Sequence, residues 1–170
     1  ATFEGDARFR RAIFKGRAGF GGATFKGRAG FGGAAFKGYA RFGEATFEGD
    51  AEFDLVAFER NARFDGAAFK SYARFSDAAF DGGVRFSGAR FDGDAGFGGA
   101  MFEGDGAWFN EVTFKSHPWF DGVTFGCDAG FEGARFEGGA GFGEVTFKDY
   151  ARFDGVTFDG VTRSGETDRA

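Results

Sequence analysis

Side chains able to do chemistry are few and scattered: one histidine, His117, one cysteine, Cys127, and 26 carboxylates in 170 residues. A hydrolytic centre needs a nucleophile, a base and an orienting acid within hydrogen-bond reach, and a phosphate site needs a glycine-rich loop opening a helix. No Ser/His/Asp arrangement, metal-ligand pair or GxxxxGK[ST] loop can be assembled around His117 from the sequence, so it reads as an ordinary residue beside Pro118. Cys127 has no second cysteine with which to form an internal disulfide or a thiolate cluster. The carboxylates fall at positions expected to face water, where their acidity should be ordinary and no general acid is poised. A non-enzyme without cofactor or metal is therefore expected.

The residues suited to recognition are more informative. Trp108 and Trp119 each sit immediately before a phenylalanine, in a position expected to point outward, where tryptophans anchor interfaces. Met101 is a third outward apolar residue, next to Glu103-Gly104-Asp105-Gly106, where the spacing between phenylalanines widens to seven and the chain must bulge. Arg41, Arg63 and Arg85 recur at intervals of 22 and so fall on one flat face. Asp65 is their expected ion-pair partner, with an anionic ligand as the alternative.

What must position these residues is a repeat. The 29 phenylalanines fall at 3, 9, 14, 20, 25 and onward to 158 with gaps alternating six and five, a period of eleven. Two places before each Phe stands Ala or Val, with Pro118 the one exception. In extended chain, residues two apart share a face, so each unit is a very short strand with a dry inner side and a wet outer one. A glycine about every five residues, each costing roughly 1 kcal/mol in a helix, excludes a helical reading. Glycine after the strand is expected to supply the dihedrals that turn a corner.

Six- and five-residue units return to the same face in each coil only if the number of sides is even. Two sides would leave a contour of at most about 36 Å, too short to enclose facing strands about 10 Å apart and still turn twice. Four sides give coils of 22 residues with four rings and four small side chains inside. The expectation is an all-β quadrilateral parallel β-helix of seven coils and part of an eighth, roughly 35 Å long at about 4.8 Å per coil. Phe25, Phe47, Phe75, Phe97 and Phe131 belong to its core ladder. The sixth residues form corner columns expected to tolerate any side chain.

Ala-x-Phe-x-Gly units of this kind resemble the pentapeptide-repeat proteins, across residues 1–160. The resemblance implies a right-handed quadrilateral β-helix with Phe and Ala or Val pointing inward. It also implies one specific function, a DNA mimic that modulates or protects a type II topoisomerase such as DNA gyrase. This chain departs from the family pattern in lacking Asp or Asn before Phe and in carrying a sixth residue in every second unit.

Residues 1–42 hold nine Lys/Arg against two Asp/Glu, and the remainder twelve against twenty-four, so the molecule is electrically polar along its length. The domain is expected to span 1–163, ending where Arg163 replaces the next Phe, with 164–170 a polar tail. Ala1-Thr2-Phe3 enters the ladder at once, so either a cap has been removed or the first coil self-associates. No run approaches the roughly 20 apolar residues of a membrane span. A soluble, cytoplasmic protein is expected, one that presents flat β-faces to an unidentified protein partner. Direct nucleic-acid binding is disfavoured by the net charge of -5.

Overall fold

The alternation of buried and outward residues is realised as strands of only two residues, each followed by a corner. The computed structural model describes residues 1–160, in which four parallel sheets of eight, six, seven and seven strands form the sides of a solenoid. The Arg163 stop and the 164–170 tail lie outside the described residues. Face 1 begins with Thr2–Phe3, face 2 with Ala7–Arg8, face 3 with Ile13–Phe14 and face 4 with Ala18–Gly19. Each strand pairs with the one 22 residues on, as in Thr24↔Thr46 and Phe25↔Phe47.

The interior is the expected ladder. Rings one coil apart lie parallel, with centroids 4.9 Å apart for Phe25–Phe47 and for Phe53–Phe75, and 5.0 Å apart for Phe75–Phe97 and Phe109–Phe131. Within a coil the rings of faces 2 and 4 meet edge to face near the centre, Phe75 against Phe86 at 5.3 Å and 90°. Offset stacking and T-shaped contacts both bring a positive ring edge near a negative face, and each contributes about 0.5–1.5 kcal/mol beyond burial.

Corners come in two kinds, and they correct the expected use of glycine. Every five-residue corner, after faces 2 and 4, is a turn such as Ala23 N to Phe20 O at 3.0 Å, and it holds a residue of positive φ. Gly22 at φ 66° is one of these. Six others are Arg11, Glu44, Leu55, Asp77, Glu111 and Glu144, at φ 55–58°, so the strain is tolerated without glycine. At the six-residue corners the glycines serve closeness instead. A Cβ on Gly38 would stand 2.5 Å from the carbonyl oxygen of Gly16 in the coil before it.

Spacing alone suggests that the six-residue corners tolerate any side chain, and the structure corrects this. Asp6 Oδ1 accepts from the Arg28 amide at 3.0 Å, Asp50 Oδ1 from Tyr72 N at 3.3 Å, and Asp94 Oδ1 from His117 N at 3.1 Å. On the opposite corner Asn61 Oδ1 accepts from Gly83 N at 2.9 Å. Each staples its coil to the next by satisfying a backbone donor that strand pairing leaves free.

Two irregularities are absorbed locally. The widened spacing at 103–106 amounts to one extra residue: Val84 N still finds Gly106 O at 2.9 Å, and Arg85 pairs with Trp108, a step of 23. Gly106 is buried with φ 153°. Pro118 has no N–H to give, and beyond it face 2 continues only as the isolated bridge Trp119↔Gly141.

Phe75→Ala should cost about 3–5 kcal/mol and lower Tm by about 10 °C, while Asp50→Ala should cost about 1 kcal/mol. Thermal unfolding followed by circular dichroism checks both, and Phe3→Ala, at a half-buried ring, should fall well below Phe75→Ala.

Candidate functional site

Because side chains before each Phe point outward and coils are in register, outward residues form columns parallel to the solenoid axis. On face 4 strand pairing aligns Arg41 with Arg63 and Arg63 with Arg85, and the next residue of the same column is Trp108. The structure thus joins four of the six sequence-predicted interaction residues in one stripe. It separates the other two: Met101 is on face 3, 48% exposed, and Trp119 on face 2, 39% exposed.

All three arginines are exposed, and among the described residues none makes an ion pair within 4 Å. Asp65, the expected partner, does not close onto them. Two unit charges one coil apart repel by about 0.9 kcal/mol even in water. Face 1 treats the same problem differently: its column after each Phe runs Glu4, Lys26, Glu48, Lys70, Asp92, Lys115, alternating in sign, with Lys26 Nζ 2.9 Å from Glu4. The stripe on face 4 is flanked by two depressions of about 300 and 290 Å³, one lined by Arg17, Tyr39 and Asn61, the other by Gly43, Glu44 and Asp65. Arg17 lies over the Tyr39 ring at 5.7 Å.

Trp108 is half-buried and lies across the backbone. An atom added at Gly106 would meet its indole at 2.5 Å and one at Gly130 at 2.7 Å. These two glycines form the seat of the ring, which ends the arginine stripe with a flat aromatic surface. Beside it Asn110 Oδ1 and Glu132 Oε2 are buried without a hydrogen-bond partner. A half-turn of the Asn110 amide directs its NH2 toward Glu132, so this pair needs no ligand to explain it.

Three features escaped the sequence reading. Glu52 on face 2 is buried, 4% exposed, its carboxylate held by Arg10 at 2.8 Å and Arg28 at 3.4 Å. It folds over Gly30, whose missing side chain leaves a notch of about 420 Å³. The signal was Gly30 between Arg8 and Glu52 in one column. Secondly, Ser116, His117 and Asp94 do come together, contrary to expectation. Asp94 Oδ1 accepts from the Ser116 hydroxyl and the His117 amide, and His117 Nδ1 is 3.4 Å from both Asp94 and Ser116. The serine donates to the acid rather than to the imidazole, so the cluster caps a corner and activates no nucleophile.

Thirdly, carboxylate acidity is not uniform. Burial pushes Asp54 up against the opposing pull of Arg74. Burial would also raise Asp94, but its bonds from Ser116 and His117 outweigh that and hold it below the usual range. Asp94 therefore stabilises the fold above the ordinary carboxylate pKa, and that contribution is lost as pH falls through its depressed value. Among the described residues no group of three His, Cys, Asp or Glu is placed to hold a metal ion, and no helix is long and apolar enough to cross a membrane.

A parallel solenoid of short repeats with a phenylalanine interior defines the class of repeat proteins whose stability comes from stacking neighbours. The chain belongs to the pentapeptide-repeat family: the family description, pentapeptide repeats in nine copies, matches residues 1–35, 31–79, 69–113, 86–134 and 120–163. A comparison with curated proteins finds no match. Among solved structures, a trypsin-treated variant of QnrB1, a plasmid-mediated fluoroquinolone resistance protein, matches at 18% identity and TM-score 0.34, covering 94% of this chain and 92% of that one. A second trypsin-treated QnrB1 variant matches at 14% identity and TM-score 0.26, covering 91% and 87%.

Cys127 is buried, and burial, reinforced by Asp128 and Glu103, pushes its thiol up to about 11. At pH 8 alkylation of the folded protein should be on the order of a hundredfold slower than in urea. Mass spectrometry after timed iodoacetamide treatment measures the ratio, and equal rates would contradict the burial.

Proposed function

We propose that this protein is a non-enzymatic binding solenoid that presents face 4 to an acidic segment of a macromolecular partner. The observation that carries the reading is the run Arg41, Arg63, Arg85 in strict register, without ion pairs among the described residues, ending on the seated indole of Trp108. Face 1 relieves like charges by alternation and face 2 by pairing, and here neither occurs. Carboxylates on an extended or helical segment would meet guanidinium groups repeating at the coil spacing, with charge-assisted bonds stronger than neutral ones. An acidic protein segment suits the stripe better than nucleic acid, because Glu44 and Asp65 border it and the chain as a whole is negative.

The topoisomerase-directed alternative needs a continuous acidic surface at phosphate spacing. The longest acidic run in a face 3 column, Glu59, Asp81 and Glu103, follows Lys15 and Lys37 in that same column, and face 4 is basic. Gyrase supercoiling should be unaffected at micromolar protein, and inhibition or protection there would favour the mimic.

For the docking reading, tryptophan fluorescence titrated with a poly-glutamate peptide should report binding that weakens as salt shortens the Debye length to about 8 Å and below. Replacing Arg41, Arg63 and Arg85 together by Ser should lower affinity at least about tenfold. Unchanged binding by the triple variant would sink the assignment to face 4.

A further inference from the structure

Face 3 differs from the other sides in having an apolar outward column. Strand pairing aligns Ile13, Ala35, Ala57, Ala79 and Met101 on five successive coils. Ile13 is 60% and Met101 48% exposed, and the three alanines between them lie flat. Its downstream edge carries charge of two signs, basic at Lys15 and Lys37, acidic at Glu59, Asp81 and Glu103. At the upstream corner of the central coil stands Leu55, 67% exposed with φ 58°. A left-handed, exposed leucine costs folding energy that a glycine, used at eight equivalent corners, would not.

We propose that face 3 is the interface of an antiparallel homodimer, with the twofold axis running along the central strand Ala57–Phe58. Rotation about that axis reverses the order of coils and leaves the strand direction unchanged. Ile13 then meets Met101 of the second copy, Ala35 meets Ala79, and Ala57 meets Ala57, so bulky residues close the ends and small ones allow approach at the centre. The same operation sets Lys15 against Glu103 and Lys37 against Asp81. Glu59 meets its own copy, but each is held by its own Lys37 at 3.4 Å. Leu55 meets Leu55, which gives the exposed corner side chain an apolar partner. A parallel or end-to-end pairing has neither the charge matches nor the contact of Leu55 with Leu55.

The contacting area, about 24 Å along the axis and one short strand wide, is below the roughly 800 Å² per partner of standard interfaces, so association is weak and salt-sensitive. A face 3 that instead served an unrelated protein would leave the purified chain monomeric.

Sedimentation equilibrium should show a monomer–dimer equilibrium with Kd well below about 1 mM, lost in Ala57→Glu. Lys15→Glu with Lys37→Glu should also abolish dimers, and adding Asp81→Lys with Glu103→Lys should restore them. Leu55→Cys should form a disulfide-linked dimer under mild oxidation, whereas the wild type, with Cys127 buried, should not. Circular dichroism of each variant separates misfolding from lost association. A monomer at about 1 mM protein, or charge reversal that fails to rescue in folded variants, overturns the proposal. Both outcomes are independent of face 4, whose arginines none of these variants touches.

Discussion

Everything in this molecule follows from phenylalanine stacking on phenylalanine at the same distance at which backbones pair. Ring centroids one coil apart are 4.6–5.2 Å from each other, and adjacent parallel strands are about 4.8 Å apart, so aromatic core and hydrogen-bond ladder impose one register. A slip of one residue would turn the rings to solvent. This is why the extra residue beside Gly106 is taken up within a corner while Phe86 and Phe109 remain stacked at 4.9 Å. It is also why a chain with no long strand is held together: each two-residue strand is weak, and only the stack of coils is stable.

That register sets what the surface can do. Outward side chains repeat at the coil spacing, so whatever stands at one position meets its counterparts directly above and below. Charge must alternate, pair across columns, fold into a vacancy or remain unrelieved. Face 1 alternates, with Lys26 and Glu4 in contact. Face 2 uses a vacancy, Glu52 bending over Gly30 to reach Arg10 two coils away. The arginines of face 4 neither alternate, pair nor fold into a vacancy among the described residues, and their unrelieved positive column is available to an anionic ligand.

The sequence carried the architecture almost completely, because the period of eleven, the inward Ala or Val and the even number of sides are properties of spacing alone. It carried the columns too, including the alignment of Arg41, Arg63 and Arg85. What spacing does not encode is how a side chain turns once its neighbour 22 or 42 residues away is known. Asp50 bonding the Tyr72 amide, Glu52 buried beneath two guanidinium groups, and Asp94 gathering Ser116 and His117 all depend on rotamers chosen between coils. From spacing alone each reads as a solvated or indifferent position for that reason. Asp65 erred the other way: adjacent columns made it the natural partner of the arginines, yet it makes no ion pair with them.

The charge asymmetry along the chain acquires a structural meaning once the two faces are considered together. With basic residues concentrated before position 43 and acidic ones after it, the rod has a dipole along its axis. Antiparallel pairing through face 3 opposes two such dipoles, whereas parallel pairing would set like ends together. Face 4 follows face 3 in the strand direction, which the twofold axis preserves, so both arginine stripes of the pair lie on one side. The central strand of the pairing, Ala57–Phe58, and the central arginine, Arg63, belong to the same coil, so the stripes run side by side with Trp108 at diagonally opposite ends. Separated by about a solenoid's width, more than the Debye length of about 8 Å at physiological salt, they repel little. A single acidic partner long enough to cross both would gain avidity that one stripe cannot give, which makes a weak dimer sufficient.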